Sequence, residues 1–356
     1  MATLLLDGTL TAITPIAIIL PGSEDKRTPS GAPRKRMLRD GLMVETVYVP
    51  PSSLRGRLRH LLTSELMRMQ NAADQRRFTP EDYIDTALGG VKDRKVAGDD
   101  ERRVDLKAIR EIRERNPVVS LFGSMVGQIS GRLMIGDMTP VEPVPAAPTG
   151  RSVRANPFVR NQAVIGLLDP DRFDAFVRLN DDRLAANRAD DKANDLKRQL
   201  GGRKRAGAEN AEIVLLEAEM KEFERQAKEG FEKAGGAVNI QQLLDGYDVI
   251  PEGTVMTNRI RLIEGTEVEM AMTLLALDLL ARRPLIGGHS AHGYGEIAGA
   301  WQVRIQDGGT LQPAGTLRLE PFAGLQLENA SPILARVHAR ALDFAAEALS
   351  FDLRAG

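Results

Sequence analysis

Two serines and three arginines are concentrated in residues 50–59 (PPSSLRGRLR), where a helix is expected to begin. They are Ser52, Ser53, Arg55, Arg57 and Arg59. Either serine can cap the helix, whose first turn carries free N–H groups and a partial positive charge. Guanidinium groups near such a turn suit the binding of phosphates, although a capped amphipathic helix with surface arginines would have the same sequence.

A second candidate site is the glycine-rich segment at residues 287–295 (GGHSAHGYG). Its candidate binding residues are Gly287, Gly288, His289, His292, Gly293 and Tyr294. Glycines let the backbone approach a ligand closely, and the rings add hydrogen-bonding groups and stacking faces. The spacing is neither G-x-G-x-x-G nor a Walker motif, so we expect no nucleotide cofactor; a turn shaped by packing is the alternative.

The histidines do not indicate a metal site. His289 and His292 are two of four histidines, and no third His or clear carboxylate partner lies near them in the sequence. We therefore expect their rings to bond a phosphate or the backbone, and action of a catalytic His on an RNA 2′-hydroxyl is left open. The chain has no Cys, which excludes disulfides and thiolate metal sites and fits a reducing cytoplasm.

A third basic segment contains Arg151, Arg154 and Arg160, close to Phe158. These residues would suit a projecting hairpin that wedges between bases while its arginines contact phosphates, and a solvated loop is the alternative. Sequence motifs of serine hydrolases, zinc proteases and EF-hands are absent. We accordingly expect that the chain is not an enzyme.

Charge is distributed unevenly along the 356 residues, although 48 Lys and Arg nearly balance 49 Asp and Glu. Residues 21–60 contain nine basic and four acidic side chains, whereas residues 209–232 are acidic. A polyanion binds a local basic track, so the near-neutral total does not exclude RNA. Aromatic residues make up 4%, which argues against long base-stacking platforms.

We expect a soluble, cytoplasmic protein with no membrane partner. The longest apolar runs fall well short of the roughly 20 residues that span a bilayer. Residues 1–7 (MATLLLD) have neither the basic start nor the apolar stretch of a signal peptide.

The order of the predicted elements indicates an α+β fold. Strands are expected at residues 3–18, 132–137, 254–263 and 296–305, and helices at 52–69 and 267–283. Without the insertions between them, this order is the β-α-β-β-α-β pattern of a ferredoxin-like or RRM-like sheet. We also expect a strand at 42–49, a charged helical region at 171–234 with a break at Gly201-Gly202, and a terminal helix at 331–351.

Taken together, these segments resemble the RAMP superfamily of CRISPR-associated proteins, and within it the repeated backbone subunit of multisubunit effectors. The stretches that carry the resemblance are residues 51–59, 121–124 (LFGS), 131–137, 250–261 and 286–297. The chain looks most like the type IV branch of that family, whose nearest relatives are the type III backbone subunits.

The resemblance implies an RRM/ferredoxin-like palm, a helical insertion and a β-hairpin thumb. The palm would comprise residues 1–69, 117–139 and 251–306, with a helical insertion at 70–116, a thumb-like hairpin at 140–168, a charged helical insertion at 169–250, and C-terminal strands and helix at 307–356. Several copies would form a filament along a guide RNA (crRNA), whose phosphates residues 52–59 and 287–293 would hold. The stretch with Arg151, Arg154 and Arg160 would be part of the thumb that displaces bases.

The same resemblance bears on catalysis. In type III relatives, an Asp just before a Pro in the loop after the first strand cuts target RNA, whereas this chain has Ala32 before Pro33. The resemblance therefore implies a non-catalytic ribonucleoprotein subunit for antiviral defence. It would present the guide for pairing with target DNA or RNA and would associate with itself and with other CRISPR effector subunits.

Two other functions remain as alternatives. One is a type III-like backbone subunit or a RAMP ribonuclease that cuts target RNA or the guide precursor, with His292 or Asp25 carrying the chemistry. The other is a structural subunit that binds only proteins.

Overall fold

The computed structural model describes residues 1–18, 31–74, 77–89, 106–125, 128–149, 152–154, 168–206, 210–235, 242–244, 247–306 and 308–346. The chain divides into two compact units. The first unit comprises Met1–Thr149 and Gly246–Gly356, and the second comprises Gly150–Asp245.

The strands belong to one large sheet and three short pairs. They are β1 (Ala2–Ala12), β2 (Arg34–Arg39), β3 (Leu42–Val47), β4 (Leu133–Ile135), β5 (Thr139–Pro140), β6 (Ala147–Pro148), β7 (Ser152–Arg154), β8 (Gln242–Leu244), β9 (Asp248–Val249), β10 (Val255–Gly265), β11 (Ile297–Gln306), β12 (Gln312–Glu320) and β13 (Gly324–Glu328).

The helices lie between these strands in sequence. They are α1 (Pro51–Asp74), α2 (Pro80–Tyr83), α3 (Leu106–Arg115), α4 (Pro117–Phe122), α5 (Pro170–Arg205), α6 (Asn210–Ala234), α7 (Glu267–Arg282), α8 (Pro332–Ala339) and α9 (Ala341–Ala346), with a π-helical turn at Ile84–Leu88 and a 3-10 turn at Ser290–His292. Among the described helices, none is both long enough and apolar enough to cross a membrane.

The large sheet of the first unit has the order β13-β12-β11-β1-β10-β4, and β5 also pairs with β10. Every pair is antiparallel. Side chains alternate along β1, so that Leu4, Leu6 and Leu10 are buried on one face. This antiparallel sheet with its helices confirms the predicted α+β class, and the four adjacent strands β11, β1, β10 and β4 are the ones that the sequence predicted.

Helices α1 and α7 pack together in the core of the first unit. Leu54, Leu58, Leu62 and Leu66 of α1 are buried at a spacing of four residues, which places them on one helix face. Helix α7 begins with a capping box in which Thr266 and Glu269 exchange hydrogen bonds, and eleven of its sixteen residues are buried, in line with the buried helix that the sequence predicted.

A row of three residues crosses the middle of the sheet. Trp301 of β11 and Asn258 of β10 both lie opposite Gly8 of β1. The Trp301 indole Nε1 donates to Asn258 Oδ1 at 3.1 Å. A Cβ at Gly8 would lie 1.9 Å from the Ala300 carbonyl oxygen, so only glycine fits between these two strands.

The structure also contains a hairpin that the sequence analysis did not predict. Strands β2 and β3 pair across Asp40-Gly41, which have φ of 48° and 80°. An Asp-Gly pair between two strands is a strong hairpin signal, and it was available in the sequence. Strand β1 ends at Ala12, earlier than predicted, and Ile16 and Ala17 form only isolated bridges.

Of the predicted hairpin at residues 140–168, the structure describes 140–149, 152–154 and 168. Strand β7 pairs with β8, ninety residues later in the chain, and β6 of the first unit pairs with β9. In each pair, one strand therefore precedes and the other follows the segment that contains α5 and α6.

The predicted helix break at Gly201-Gly202 is wrong, because α5 continues to Arg205. Glycine costs a helix roughly 1 kcal/mol relative to alanine. Close packing of α5 on α6 outweighs this cost, since Leu200 is buried and Lys204 pairs with Glu217. At the other end of the chain, the predicted terminal helix is divided into α8 and α9, and residues 347–356 lie outside the described residues.

Candidate nucleic-acid interface

Helix α1 begins at Pro51, one residue earlier than the sequence predicted. Proline suits the first helical position because its φ is preset and it has no N–H to leave unbonded. Ser52 is exposed and Ser53 is half-buried in the first turn, and the Ser53 N–H donates to the Pro50 carbonyl at 3.1 Å. The two serines therefore lie inside the helix, not at its cap.

Ser52 and Arg55 line a groove of about 780 Å³, which we call the α1 groove. Its other lining residues are Pro51, Arg59, Leu88, Gly89, Phe122, Gly123, Ser124, Met125, Ile129, Ser130, Gly131, Leu133, Met134 and Ile135. Three separate stretches of the sequence resemblance, 51–59, 121–124 and 131–137, therefore meet at one site.

Glycines allow the wall of the α1 groove to form. A Cβ at Gly123 would lie 2.6 Å from the Ile129 carbonyl oxygen, and one at Gly131 would lie 2.6 Å from the Leu121 carbonyl oxygen. The Arg113 guanidinium holds the same wall by donating to the Ser130 carbonyl at 2.6 Å. The backbone therefore forms much of the surface that faces Arg55.

Arg55 is half-buried and its guanidinium donates to the Phe122 carbonyl oxygen. This bond orients the side chain along the groove wall and uses one nitrogen of the guanidinium. A guanidinium has five N–H donors in total, so others remain for a ligand.

Arg59 has a different environment from the one that a phosphate-binding side chain needs. It is 8% exposed, and its Nε donates to the Thr86 carbonyl at 2.5 Å. Burial, together with the nearby charge of Arg55, lowers the pKa of Arg59 to about 10. Gly89 makes room for the guanidinium, because a Cβ there would lie 2.9 Å from Arg59 Nη1. Arg59 thus fastens the π-helical turn to α1.

Arg57 projects from another side of α1, as two residues of separation along a helix require. Its Nη2 donates to the Arg283 carbonyl at 3.3 Å, at the end of α7. Burial and the charge of Arg283 lower the pKa of Arg57. The three arginines that the sequence grouped as one set therefore point to different surroundings.

The glycine-rich loop rests on the segment that follows β1. The Gly288 N–H donates to the Ala17 carbonyl at 2.8 Å. Gly287 has φ of +79°, and a Cβ there would lie 2.4 Å from the same carbonyl oxygen. The packing alternative for Gly287 is therefore supported, whereas Gly293 has φ of +79° with open space around its Cα.

Four rings cluster at this loop. His289 stacks on Tyr247 with ring centroids 4.2 Å apart, and its ring lies 5.6 Å from that of His292. Tyr294 contacts Tyr247 and His292 edge to face, at 6.1 and 6.5 Å. Burial and then the neighbouring His292 lower the pKa of His289, and burial and Tyr294 raise the pKa of Tyr247. Sequence reasoning missed Tyr247, because no motif in the neighbouring residues marks it.

The glycine-rich loop lies at the end of the large sheet where β1 finishes, β10 and β11 begin, and α7 terminates. The strand residues that line the α1 groove, Leu133–Ile135, pair instead with residues 260–262 in the second half of β10, and the groove lining contains no residue of the glycine-rich loop. The bond from Arg57 to the Arg283 carbonyl connects α1 with the chain four residues before Gly287.

The third predicted basic segment is largely outside the described residues. Arg151 and Arg160 lie outside them, and for Arg154 only its backbone position in β7 is described. Of the candidates for catalysis, Asp25 also lies outside, whereas Ala32 is 3% exposed. Within the described part of the chain, no three His, Cys, Asp or Glu side chains are grouped as a metal site would require.

No family model matches the chain, and no curated protein matches it. Among solved structures, the chain is similar to one described as "Type IV-B CRISPR Complex", with a TM-score of 0.39 and 14% identity over 87% of this chain and 92% of that chain. It is also similar to "Crystal structure of Thermofilum pendens Csc2", with a TM-score of 0.37 and 10% identity over 99% of this chain and 80% of that chain.

Proposed function

We propose that this chain is a non-catalytic backbone subunit that binds guide RNA in a type IV CRISPR effector. Copies of it polymerise along the guide and present its bases for pairing with target DNA or RNA. The observation that carries the proposal is the α1 groove. There, three stretches of the RAMP resemblance meet around Ser52 and Arg55, with backbone forming the opposite wall.

The arrangement of the sheet supports a palm of the RRM/ferredoxin-like kind. In chain order, the elements β1, α1, β4, β10, α7 and β11 follow the β-α-β-β-α-β pattern. The strand order β11-β1-β10-β4 places β1 and β10 at the centre, with antiparallel neighbours on both sides.

In the proposed mechanism, the protein contacts the guide through its phosphates and leaves the bases free. Arg55 and Ser52 in the α1 groove supply a charged and a neutral donor to one part of the strand. Backbone N–H groups and the imidazoles of the glycine-rich loop contact another part. Contacts of this kind position the strand without reading its sequence, which is delegated to base pairing.

The hairpin β2–β3 is the described element that suits the thumb role. Leu38, Leu42 and Met43 lie at its turn and are 69%, 70% and 62% exposed. The base of the hairpin is fixed, since Lys35 pairs with Asp137 at 2.9 Å and Arg34 pairs with Asp248 at 2.8 Å. A fixed base and an apolar tip are what a wedge between stacked bases requires.

A direct test is to express the chain together with a CRISPR array and measure the RNA that copurifies. We expect RNA of defined length, with affinity that falls as salt rises. Replacing Arg55 by Gln should weaken binding and reduce the salt slope by about 0.7, the contribution of one contact to single-stranded RNA. Arg225→Gln on α6, which removes an exposed, ion-paired arginine, is the charge-matched control.

Arg59 is unsuitable for this experiment because its loss would leave buried carbonyls unpaired and lower the stability of the fold. Purified protein that is free of RNA, or an Arg55→Gln variant with unchanged affinity and salt slope, would exclude the proposed function. Labelled guide precursor and labelled complementary RNA test the ribonuclease alternative in parallel. Cleavage that is lost in His292→Ala would favour that alternative.

A further inference from the structure

A second concavity of the first unit, of about 950 Å³, lies on the other side of α1. We call it the α1–α7 cleft. Its floor is apolar and includes Leu61, Leu275, Leu279, Leu325 and Leu342. Its rim is basic, with Arg57, Arg68, Arg282 and Arg283. None of the sequence motifs except Arg57 marked this region as a site.

Two of the four arginines are neutralised by carboxylates within the cleft. Arg68 Nε donates to Glu65 at 2.9 Å, and Arg282 Nε donates to Asp278 at 2.8 Å. These are the two acidic side chains of the lining. The charges of Arg57 and Arg283 therefore remain as an excess of two positive charges.

The two remaining arginines are close to each other and form no ion pair among the described residues, although the charge of Arg283 is near enough to help Arg68 lower the pKa of Glu65. Their proximity is shown by the hydrogen bond from Arg57 to the Arg283 carbonyl. Arg57 Nε is buried and has no hydrogen-bond partner. A buried donor without a partner is unfavourable, and two adjacent guanidinium groups repel each other. The lowered pKa of Arg57 has the same two causes, burial and Arg283.

The end of α7 offsets this charge only in part. A helix carboxyl end carries about −0.5 elementary charge, compared with the excess of two positive charges. An anion with about two negative charges would neutralise the pair. A phosphate monoester carries −1.5 to −2 near neutral pH, whereas a single carboxylate carries one charge.

The other lining residues of the α1–α7 cleft indicate what kind of group is attached to this phosphate. The leucine floor suits an apolar or aromatic group. At the rim, His60 and Tyr83 pack with ring centroids 6.3 Å apart, and His60 Nδ1 lies 3.3 Å from the Tyr83 hydroxyl. His60 and Tyr83 share this lining with Arg57 and Arg283, so the cleft presents aromatic and cationic groups together.

We propose that the α1–α7 cleft binds a small phosphomonoester with an aromatic body, of the class of nucleoside monophosphates, and holds its phosphate between Arg57 and Arg283. The site is separate from the α1 groove and the inference does not rest on guide binding. Its ligand is a free small molecule, not the internal phosphates of a polynucleotide.

Titration calorimetry on the full chain tests this proposal with three probes in a phosphate-free, low-salt buffer. The probes are adenosine monophosphate, inorganic phosphate and adenosine. We expect the monophosphate to bind most tightly, because only it engages both the arginines and the floor. Arg283→Gln should weaken its binding by about tenfold or more, as expected for the loss of a charge-assisted contact. Arg318→Gln, on β12, is the matched control.

Arg283 is the decisive position because its side chain is exposed, so that its replacement leaves the fold intact. Arg57→Gln should have a similar effect, with a thermal melt to verify folding. Absence of monophosphate binding at millimolar concentration, or binding that Arg283→Gln leaves unchanged, would overturn the proposal. RNA affinity distinguishes the two sites, since Arg55→Gln should reduce it and Arg283→Gln should not.

Discussion

At the residue scale, neighbouring arginines of one helix have acquired different tasks. Arg55 faces a groove, Arg57 faces a cleft, and Arg59 is buried beneath a turn. The sequence identified all three as one cationic set, because spacing shows the helix face but not the partner on it. The three side chains differ because each donates to a different backbone carbonyl, that of Phe122, Arg283 or Thr86. No sequence pattern shows which carbonyl will accept such a bond.

The imidazole of His289 gives a prediction about pH. Its pKa lies below 6.5 in the free protein because burial and His292 disfavour the charged ring. The unfolded chain then takes up the proton first, so stability contributed by this ring is lost as pH falls below about 6.5. Chemical shifts of the ring protons, recorded against pH and assigned with His289→Gln, measure this directly.

The same titration tests the proposed contact with phosphate. Bound RNA should favour the imidazolium form and raise the pKa of His289, so that RNA binding is coupled to the uptake of a proton. RNA affinity should then increase from pH 7 to pH 6, and His289→Gln should lack this increase. A pKa that RNA leaves unchanged would place His289 away from the guide.

At the element scale, the four strands and two helices of the predicted β-α-β-β-α-β order were found in that order along the chain. They were predictable because α1 carries a stripe of buried leucines and most residues of α7 are buried. Buried and more exposed side chains also alternate along β1 and β10. The hairpin β2–β3 was missed, although its Asp-Gly turn is a local signal. The pairing of β7 with β8 was not predictable, since β-strand partners ninety residues apart leave no local trace.

The tip of the β2–β3 hairpin gives a prediction about base displacement. The double variant Leu42→Ser, Met43→Ser should have a free energy of unfolding within about 0.5 kcal/mol of the wild-type value, because both side chains are exposed. It should bind guide RNA but fail to unstack bases, since serine cannot fill the gap between them. Fluorescence of 2-aminopurine placed along the guide measures the unstacking. Leu215→Ser, which replaces a 71% exposed leucine of α6, should match the wild type.

A 2-aminopurine signal that is the same in wild type and in the hairpin variant would remove β2–β3 from the thumb role. The role would then pass to the segment with Arg151, Arg154 and Arg160, where the sequence resemblance first placed it. The two outcomes are distinguishable without any change in affinity.

At the scale of the whole molecule, three of the candidate sites lie entirely within the first unit. The α1 groove, the glycine-rich loop and the α1–α7 cleft consist of residues of the first unit alone. The ends of the second unit are held together by the first, because the Thr149 N–H donates to the Tyr247 carbonyl at 2.8 Å and the Tyr247 N–H donates to Thr149 Oγ1 at 2.8 Å. Because Thr149 and Tyr247 are bonded to each other, the segment between them can be shortened without moving either residue.

We therefore expect a variant in which a glycine-serine turn of about four residues replaces residues 150–246 to fold. Its first unit should give a cooperative thermal transition, and it should retain guide RNA. Because the predicted phosphate contacts of Arg151, Arg154 and Arg160 are absent, its salt slope should be smaller by about two, at 0.7 for each contact. An unchanged slope would exclude these three arginines from the interface, and a variant that fails to fold would show that the first unit depends on the second.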